Sequence, residues 1–136
     1  MKLGSSGIGT NVMKRRRYVI IMAAGSGTRM GAPMPKQFLE IGGKAILQHT
    51  IETFVEACPG ISVVTVLNSD YIGYWRDYCL RRNFTCPQII VAGGFTRFHS
   101  VRNALEKIPE GAVVAVHDGV RPLVTASLVR EMFENV

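Results

Sequence analysis

The chain has little that would build a zinc site or a disulfide framework. Its three cysteines, Cys58, Cys79 and Cys86, are odd in number and lack any C-x-x-C spacing, so neither a crosslinked scaffold nor a zinc site is indicated, and a reducing cytoplasm fits. His49, His99 and His117 form no i, i+4 pair, which removes the helical zinc signature. No apolar run approaches the roughly 20 residues of a membrane span, and no membrane association is expected. Acidic residues are few, ten against sixteen Lys and Arg, giving a formal charge of +6. That excess is local. Lys2, Lys14, Arg15, Arg16 and Arg17 precede the first apolar segment, and eleven cations remain against ten acids beyond it. The body has no basic stripe interleaved with aromatics, so no nucleic-acid partner is expected.

What is present is enough for one core. A length of 136 residues and 47% hydrophobic composition fit a single globular domain. Residues 1–17 read as a flexible basic leader or tag remnant, because Gly4-Ser5-Ser6-Gly7 is polar and flexible. Lys14 to Arg17 before Tyr18 to Ala24 imitates a signal peptide, but the apolar run is short and a glycine loop follows it. A strand is the better account.

Hydrophobic periodicity orders the rest. Tyr18 to Met22 reads as a buried strand, Ile46, Leu47, Thr50, Ile51, Phe54 and Val55 recur at helical spacing, and Ser62 to Leu67 reads as a second strand. Asn68-Ser69-Asp70 looks like a helix cap. Tyr71, Ile72, Trp75, Tyr78 and Cys79 mark a second helix and Gln88 to Ala92 a third strand. Val101, Ala104, Leu105 and Ile108 mark a third helix, Val113 to His117 a fourth strand, and Leu128, Val129, Met132 and Phe133 a last helix. Trp75, Tyr78, Met132 and Phe133 are expected in the core. Such alternation predicts an α/β, Rossmann-like three-layer fold: a mostly parallel sheet with helices on both faces and right-handed crossovers. The inferred strand order is 3-2-1-4, which sets ligands at the carboxyl ends of strands one and four.

The loop after the first strand, Ala23-Ala24-Gly25-Ser26-Gly27-Thr28-Arg29-Met30-Gly31 with Pro35-Lys36-Gln37, is the most informative stretch. Gly25 and Gly27 allow close backbone approach with N–H groups exposed, and Arg29 and Lys36 add two cations, a combination suited to a triphosphate. The dinucleotide pattern G-x-G-x-x-G fails by one residue, and the Gly-Lys-Ser/Thr of a phosphate loop is absent. No acidic residue closes the second strand to hold a ribose. An NAD-dependent dehydrogenase is therefore a distant alternative.

Two further segments, Gly93-Gly94-Phe95-Thr96-Arg97-Phe98-His99-Ser100-Val101 and Val116-His117-Asp118-Gly119-Val120-Arg121-Pro122, complete a constellation. Together with the first loop it closely resembles the 2-C-methyl-D-erythritol 4-phosphate cytidylyltransferase family, from Tyr18 to the last residue. The resemblance implies a fold of nucleotidyltransferase type, truncated at the C-terminus, with residues 18–136 the nucleotide-binding portion of a single cytidylyltransferase domain. It implies a transferase of non-mevalonate isoprenoid biosynthesis, passing CMP from CTP to a polyol phosphate with release of pyrophosphate and Mg²⁺ as cofactor. By resemblance Arg29 and Lys36 stabilise the reacting phosphates, Ala23, Ala24, Gly25 and Gly27 line the nucleotide, and Gly93, Gly94 and Ser100 contact the cytosine. Asp118 associates with the metal and Arg121 lies on the substrate side.

Arg97 reads as structural, and Phe95 departs from the acidic residue that family members often carry there. The family continues with a second half containing a dimerisation arm and further substrate contacts, so the full-length protein is expected to be a cytoplasmic homodimer and this chain incomplete for activity. A ribitol 5-phosphate cytidylyltransferase and a non-catalytic nucleotide-binding module are the alternatives.

Overall fold

The computed structural model describes residues 16–24, 34–118 and Phe133. Among the described residues up to Asp118, six strands and three α-helices follow in the order β1 (Arg17–Ala23), β2 (Glu40–Ile41), β3 (Lys44–Ala45), α1 (Ile46–Ala57), β4 (Ser62–Leu67), α2 (Ile72–Arg81), β5 (Ile89–Ala92), α3 (Arg97–Leu105) and β6 (Val113–Asp118). Short 3-10 turns at Lys36–Phe38 and Ser69–Tyr71 link them. The second is capped as expected: the Asn68 side chain accepts a hydrogen bond from the Asp70 N–H at 2.8 Å.

The main sheet is parallel in the order β5-β4-β1-β6, the sequence-inferred 3-2-1-4. Its register sets Ala23 beside Leu67 and Met22 beside Asp118, so β1, β4 and β6 end together. β1 is buried from Tyr18 to Ala23 because helices cover both of its faces. Val19, Ile21 and Ala23 join Leu47, Ile51 and Phe54 of α1 and Trp75 and Tyr78 of α2. Tyr18, Ile20 and Met22 join Val64, Val66, Val91 and Ala104 of α3 on the opposite face. Three layers result. Trp75, Tyr78 and Phe133 are core as expected, with Phe133 lying under the Arg17 guanidinium, whereas Met132 falls outside the described residues.

Two departures have physical reasons. The hairpin β2–β3 was not anticipated; Glu40 pairs with Ala45 and Ile41 with Lys44 around Gly42 and Gly43, at φ +63° and +84°, values that suit glycine in a two-residue turn. α3 stops at Leu105 and buries only Ser100 and Ala104, so Leu105 is 46% exposed and Ile108 lies in the turn beyond. β5 is the edge strand of the sheet and buries only Val91, so it offers the helix a narrow apolar stripe.

Candidate functional site

Of the candidate residues, Gly25, Gly27, Arg29 and Arg121 lie outside the described residues. Ala23, Ala24, Lys36, Gly93, Gly94, Ser100 and Asp118 are described, and all are at or next to the carboxyl ends of the parallel strands. The turn after β5 is fitted to the end of β1. A Cβ at Gly93 would stand 2.5 Å from Cβ of Ala24 and 3.1 Å from Oγ of Ser100, and one at Gly94 would stand 2.5 Å from Cβ of His99. Both distances are shorter than non-bonded carbons tolerate, so only glycine lets these backbones meet.

Hydrogen bonds fix the same turn. Gly93 N–H donates to the Leu67 carbonyl at 2.8 Å, and Gly94 N–H donates to Oγ of the buried Ser100 at 3.0 Å. Thr96 caps α3 by accepting from the His99 N–H at 3.1 Å, and Nδ2 of Asn103 donates to the Ala92 carbonyl at 3.2 Å. The Ser100 hydroxyl oxygen therefore organises the glycine turn.

Lys36 is brought to the end of β1 by its neighbour. Gln37 is only 2% exposed and its Nε2 donates to the Ala23 carbonyl at 2.6 Å, which ties the 3-10 turn to the last residue of β1 and leaves Lys36 exposed. No role for Gln37 was read from the sequence, where a polar residue beside a cation gives no sign that it will be buried. Asp118 closes β6, half-buried and in register with Met22. Among the described residues no group of three His, Cys, Asp or Glu is placed to hold a metal. A hard cation that takes a single protein carboxylate finds its other oxygens on phosphate and water, and Asp118 is a carboxylate at that rim.

The cavities around Cys86 are elsewhere. One of about 410 Å³ is lined by Arg76, Cys79, Leu80, Phe84 and Gln88, and two smaller ones adjoin it along α1 and β5. None contains a candidate residue. Burial pushes the Cys79 thiol above its ordinary value, opposed by the hydrogen bond from Gln88 and helped by Cys86, whose own thiol burial also pushes up. Both are held as neutral thiols, unlike an activated nucleophile.

A parallel sheet with a glycine turn, a capped helix start, a lysine and a carboxylate at its carboxyl rim defines a doubly wound α/β protein, a class in which ligands bind at the carboxyl ends of the strands. The sequence profile of the 2-C-methyl-D-erythritol 4-phosphate cytidylyltransferase (IspD) family matches residues 18–136, and the chain belongs to that family. A relative from Porphyromonas gingivalis ATCC 33277, named 2-C-methyl-D-erythritol 4-phosphate cytidylyltransferase, is 48% identical over 122 residues, covering 90% of this chain and 54% of the relative. One of the same name from Bacteroides thetaiotaomicron is 41% identical over 119 residues, covering 88% of this chain and 54% of the relative. Among solved structures, the 4-diphosphocytidyl-2C-methyl-D-erythritol synthase of Anaerococcus prevotii superposes with a TM-score of 0.73 at 27% identity, covering 93% of this chain and 52% of that one. The bifunctional IspDF of Campylobacter jejuni gives 0.70 at 29% identity, covering 88% of this chain and 30% of that one. The chain thus spans about half the length of the curated relatives it matches.

No helix among the described residues is long and apolar enough to cross a membrane.

Proposed function

We propose that this chain carries the CTP-binding half of a cytidylyltransferase that transfers CMP to the phosphate of 2-C-methyl-D-erythritol 4-phosphate. The observation that supports this most is the junction of Ala24, Gly93 and Ser100, with Lys36 tied to the same strand end through Gln37. In the reaction, an oxygen of the polyol phosphate attacks the α-phosphorus of CTP. A new P–O bond forms, the bond from the α-phosphorus to the bridging oxygen breaks, and pyrophosphate leaves with the electron pair. Negative charge grows on the α-phosphate and the leaving group, so fixed cations and backbone donors supply the rate enhancement. Lys36 is the described cation for that role, and Arg29 is assigned to it with Lys36. Gly93 and Gly94 bring backbone close enough to read a pyrimidine, while Arg121 serves the substrate side. Mg²⁺, when bound with the triphosphate, would offset phosphate charge, and Asp118 is the residue to hold it. The full-length protein is proposed to act as a cytoplasmic homodimer.

The test is pyrophosphate release from CTP by the full-length protein, with 2-C-methyl-D-erythritol 4-phosphate and ribitol 5-phosphate offered in parallel and Mg²⁺ present or chelated. Turnover with the first substrate only, lost on chelation and reduced at least about a hundredfold in Lys36→Ala and in Arg29→Ala, is expected for electrostatic catalysis of this kind. Undiminished turnover in both variants would overturn the assigned roles.

A further inference from the structure

Phe95 stands between Gly94 and Thr96 with its side chain 102% exposed, the fullest exposure of any large hydrophobic residue described. Single exposed apolar residues are ordinary. What sets this one apart is its mounting. The turn that carries it is pinned by Gly93 to Leu67, by Gly94 to Ser100, by Thr96 to His99 and by Asn103 to Ala92. At Gly93 and Gly94 there is no room even for a methyl group. A turn so constrained cannot swing its aromatic ring into the core. Phe98, the next exposed aromatic, is 70% exposed and does have partners: the His99 ring edge-on at 5.6 Å and the Arg102 guanidinium at 5.9 Å. Among the described residues no ring or cation lies against Phe95.

We propose that Phe95 is a nucleotide-binding residue whose ring covers the flat face of the cytosine of bound CTP, an inference that rests on the proposed function above. The turn that carries the ring is fixed at the rim where β1 and β5 end, the side chain is fully exposed there, and the ligand assigned to that rim carries a planar base. Stacking of a base on an aromatic side chain needs no polar partner and accepts any base, since each has a π-face. Phe95 therefore adds affinity without discrimination, and the choice of cytosine rests with the backbone groups of Gly93 and Gly94. A side chain so placed acts on the base and not on the phosphates.

Binding of CTP, UTP and inorganic triphosphate to the 136-residue chain is measured by calorimetry for the wild type, Phe95→Ala and Phe95→Tyr. Phe95→Ala should weaken CTP about thirtyfold, near the middle of the range for base–aromatic stacking, with the CTP-to-UTP ratio and the affinity for inorganic triphosphate unchanged. Phe95→Tyr should restore binding. The cytosine ring protons should move upfield on binding to wild type but not to Phe95→Ala, whose melting temperature stays at the wild-type value because the side chain packs against nothing. CTP binding to Phe95→Ala at wild-type affinity, without that spectral change in the wild type, overturns the stacking role and leaves the proposed function standing. A wild-type chain that binds inorganic triphosphate but gains nothing from the base overturns it as well. Failure of the wild type to bind CTP at all overturns the proposed function, and this inference with it.

Discussion

Gly93 and Gly73 show how far one residue's surroundings decide what a methyl group does. At Gly93 a Cβ would meet the Ala24 Cβ at 2.5 Å, while at Gly73, in α2, nothing lies within 4 Å. Gly93→Ala should therefore cost about 1–3 kcal/mol by overpacking and push the β5 turn off the end of β1, weakening CTP binding as well. Gly73→Ala should be neutral or stabilising by up to about 1 kcal/mol through helix propensity. Urea denaturation of the two variants checks this, and equal destabilisation would mean that the close approach at Gly93 is not what the fold depends on. The thiols make a second residue-scale case. Cys79 and Cys86 both have pKa values raised chiefly by burial, so the folded state keeps protons that the unfolded chain releases. Their contribution to stability is complete below the ordinary thiol value of about 8.5 and is lost as pH rises through the higher folded values. Stability should fall with pH above that point, and Cys79→Ala combined with Cys86→Ala should flatten the decline in denaturation curves taken across the alkaline range.

At the scale of elements, α1 begins without a side-chain cap, and a distant tyrosine takes the place of one. Ala45 N–H donates to the Tyr78 hydroxyl at 2.8 Å, and that hydroxyl donates to Oε1 of Gln48 at 2.7 Å, joining the hairpin, α1 and α2 in the core. Tyr78→Phe keeps the stacking on Trp75 at 5.1 Å but leaves the buried Ala45 N–H and the Gln48 carbonyl oxygen without that partner. A loss of about 1–3 kcal/mol is expected. Removing the exposed Arg82–Glu40 ion pair at the hairpin with Glu40→Gln should cost under about 1 kcal/mol. Comparable losses would show the tyrosine acting by packing alone. Elements of this kind mark the limit of what the sequence discloses. The four strands of the main sheet were legible because each is an apolar run, buried almost throughout in β1 and β4 and partly in the edge strands β5 and β6, and their order followed from the right-handed crossover. The hairpin was missed because Glu40-Ile41 and Lys44-Ala45 are too short to show a period, although Gly42-Gly43 is a turn signal in its own right. At the candidate site, the strand-end positions of Gly93, Gly94 and Asp118 were legible from where the third and fourth strands of the main sheet stop. The site was not legible at Gln37, whose burial depends on a carbonyl fourteen positions earlier in the chain.

Over the whole molecule, the sheet makes one rim from segments far apart in sequence, and a ligand that spans them should stabilise all of them together. Binding to the folded state alone adds RT ln(1 + [L]/Kd), about 2.7 kcal/mol at a hundred times Kd, so CTP should raise the melting temperature of this chain measurably. The size of the shift then reports where charge is needed. Lys36 is exposed beside Gln37, whose hydrogen bond ends on Ala23, whereas Lys44 is paired with Glu52 at 3.0 Å on the side of the molecule that faces the cavities around Cys86. Lys36→Ala should remove most of the CTP-induced shift at fixed concentration and leave the unliganded melting temperature within about a degree, because an exposed lysine contributes little to folding. Gln37→Ala should act differently. It lowers the unliganded melting temperature, since the Ala23 carbonyl loses its buried donor, and it weakens the CTP shift by releasing Lys36 from the rim. Lys44→Ala should leave the shift intact. If Lys44→Ala and Lys36→Ala reduce it equally, the triphosphate is responding to net charge and not to the place the sheet gives Lys36.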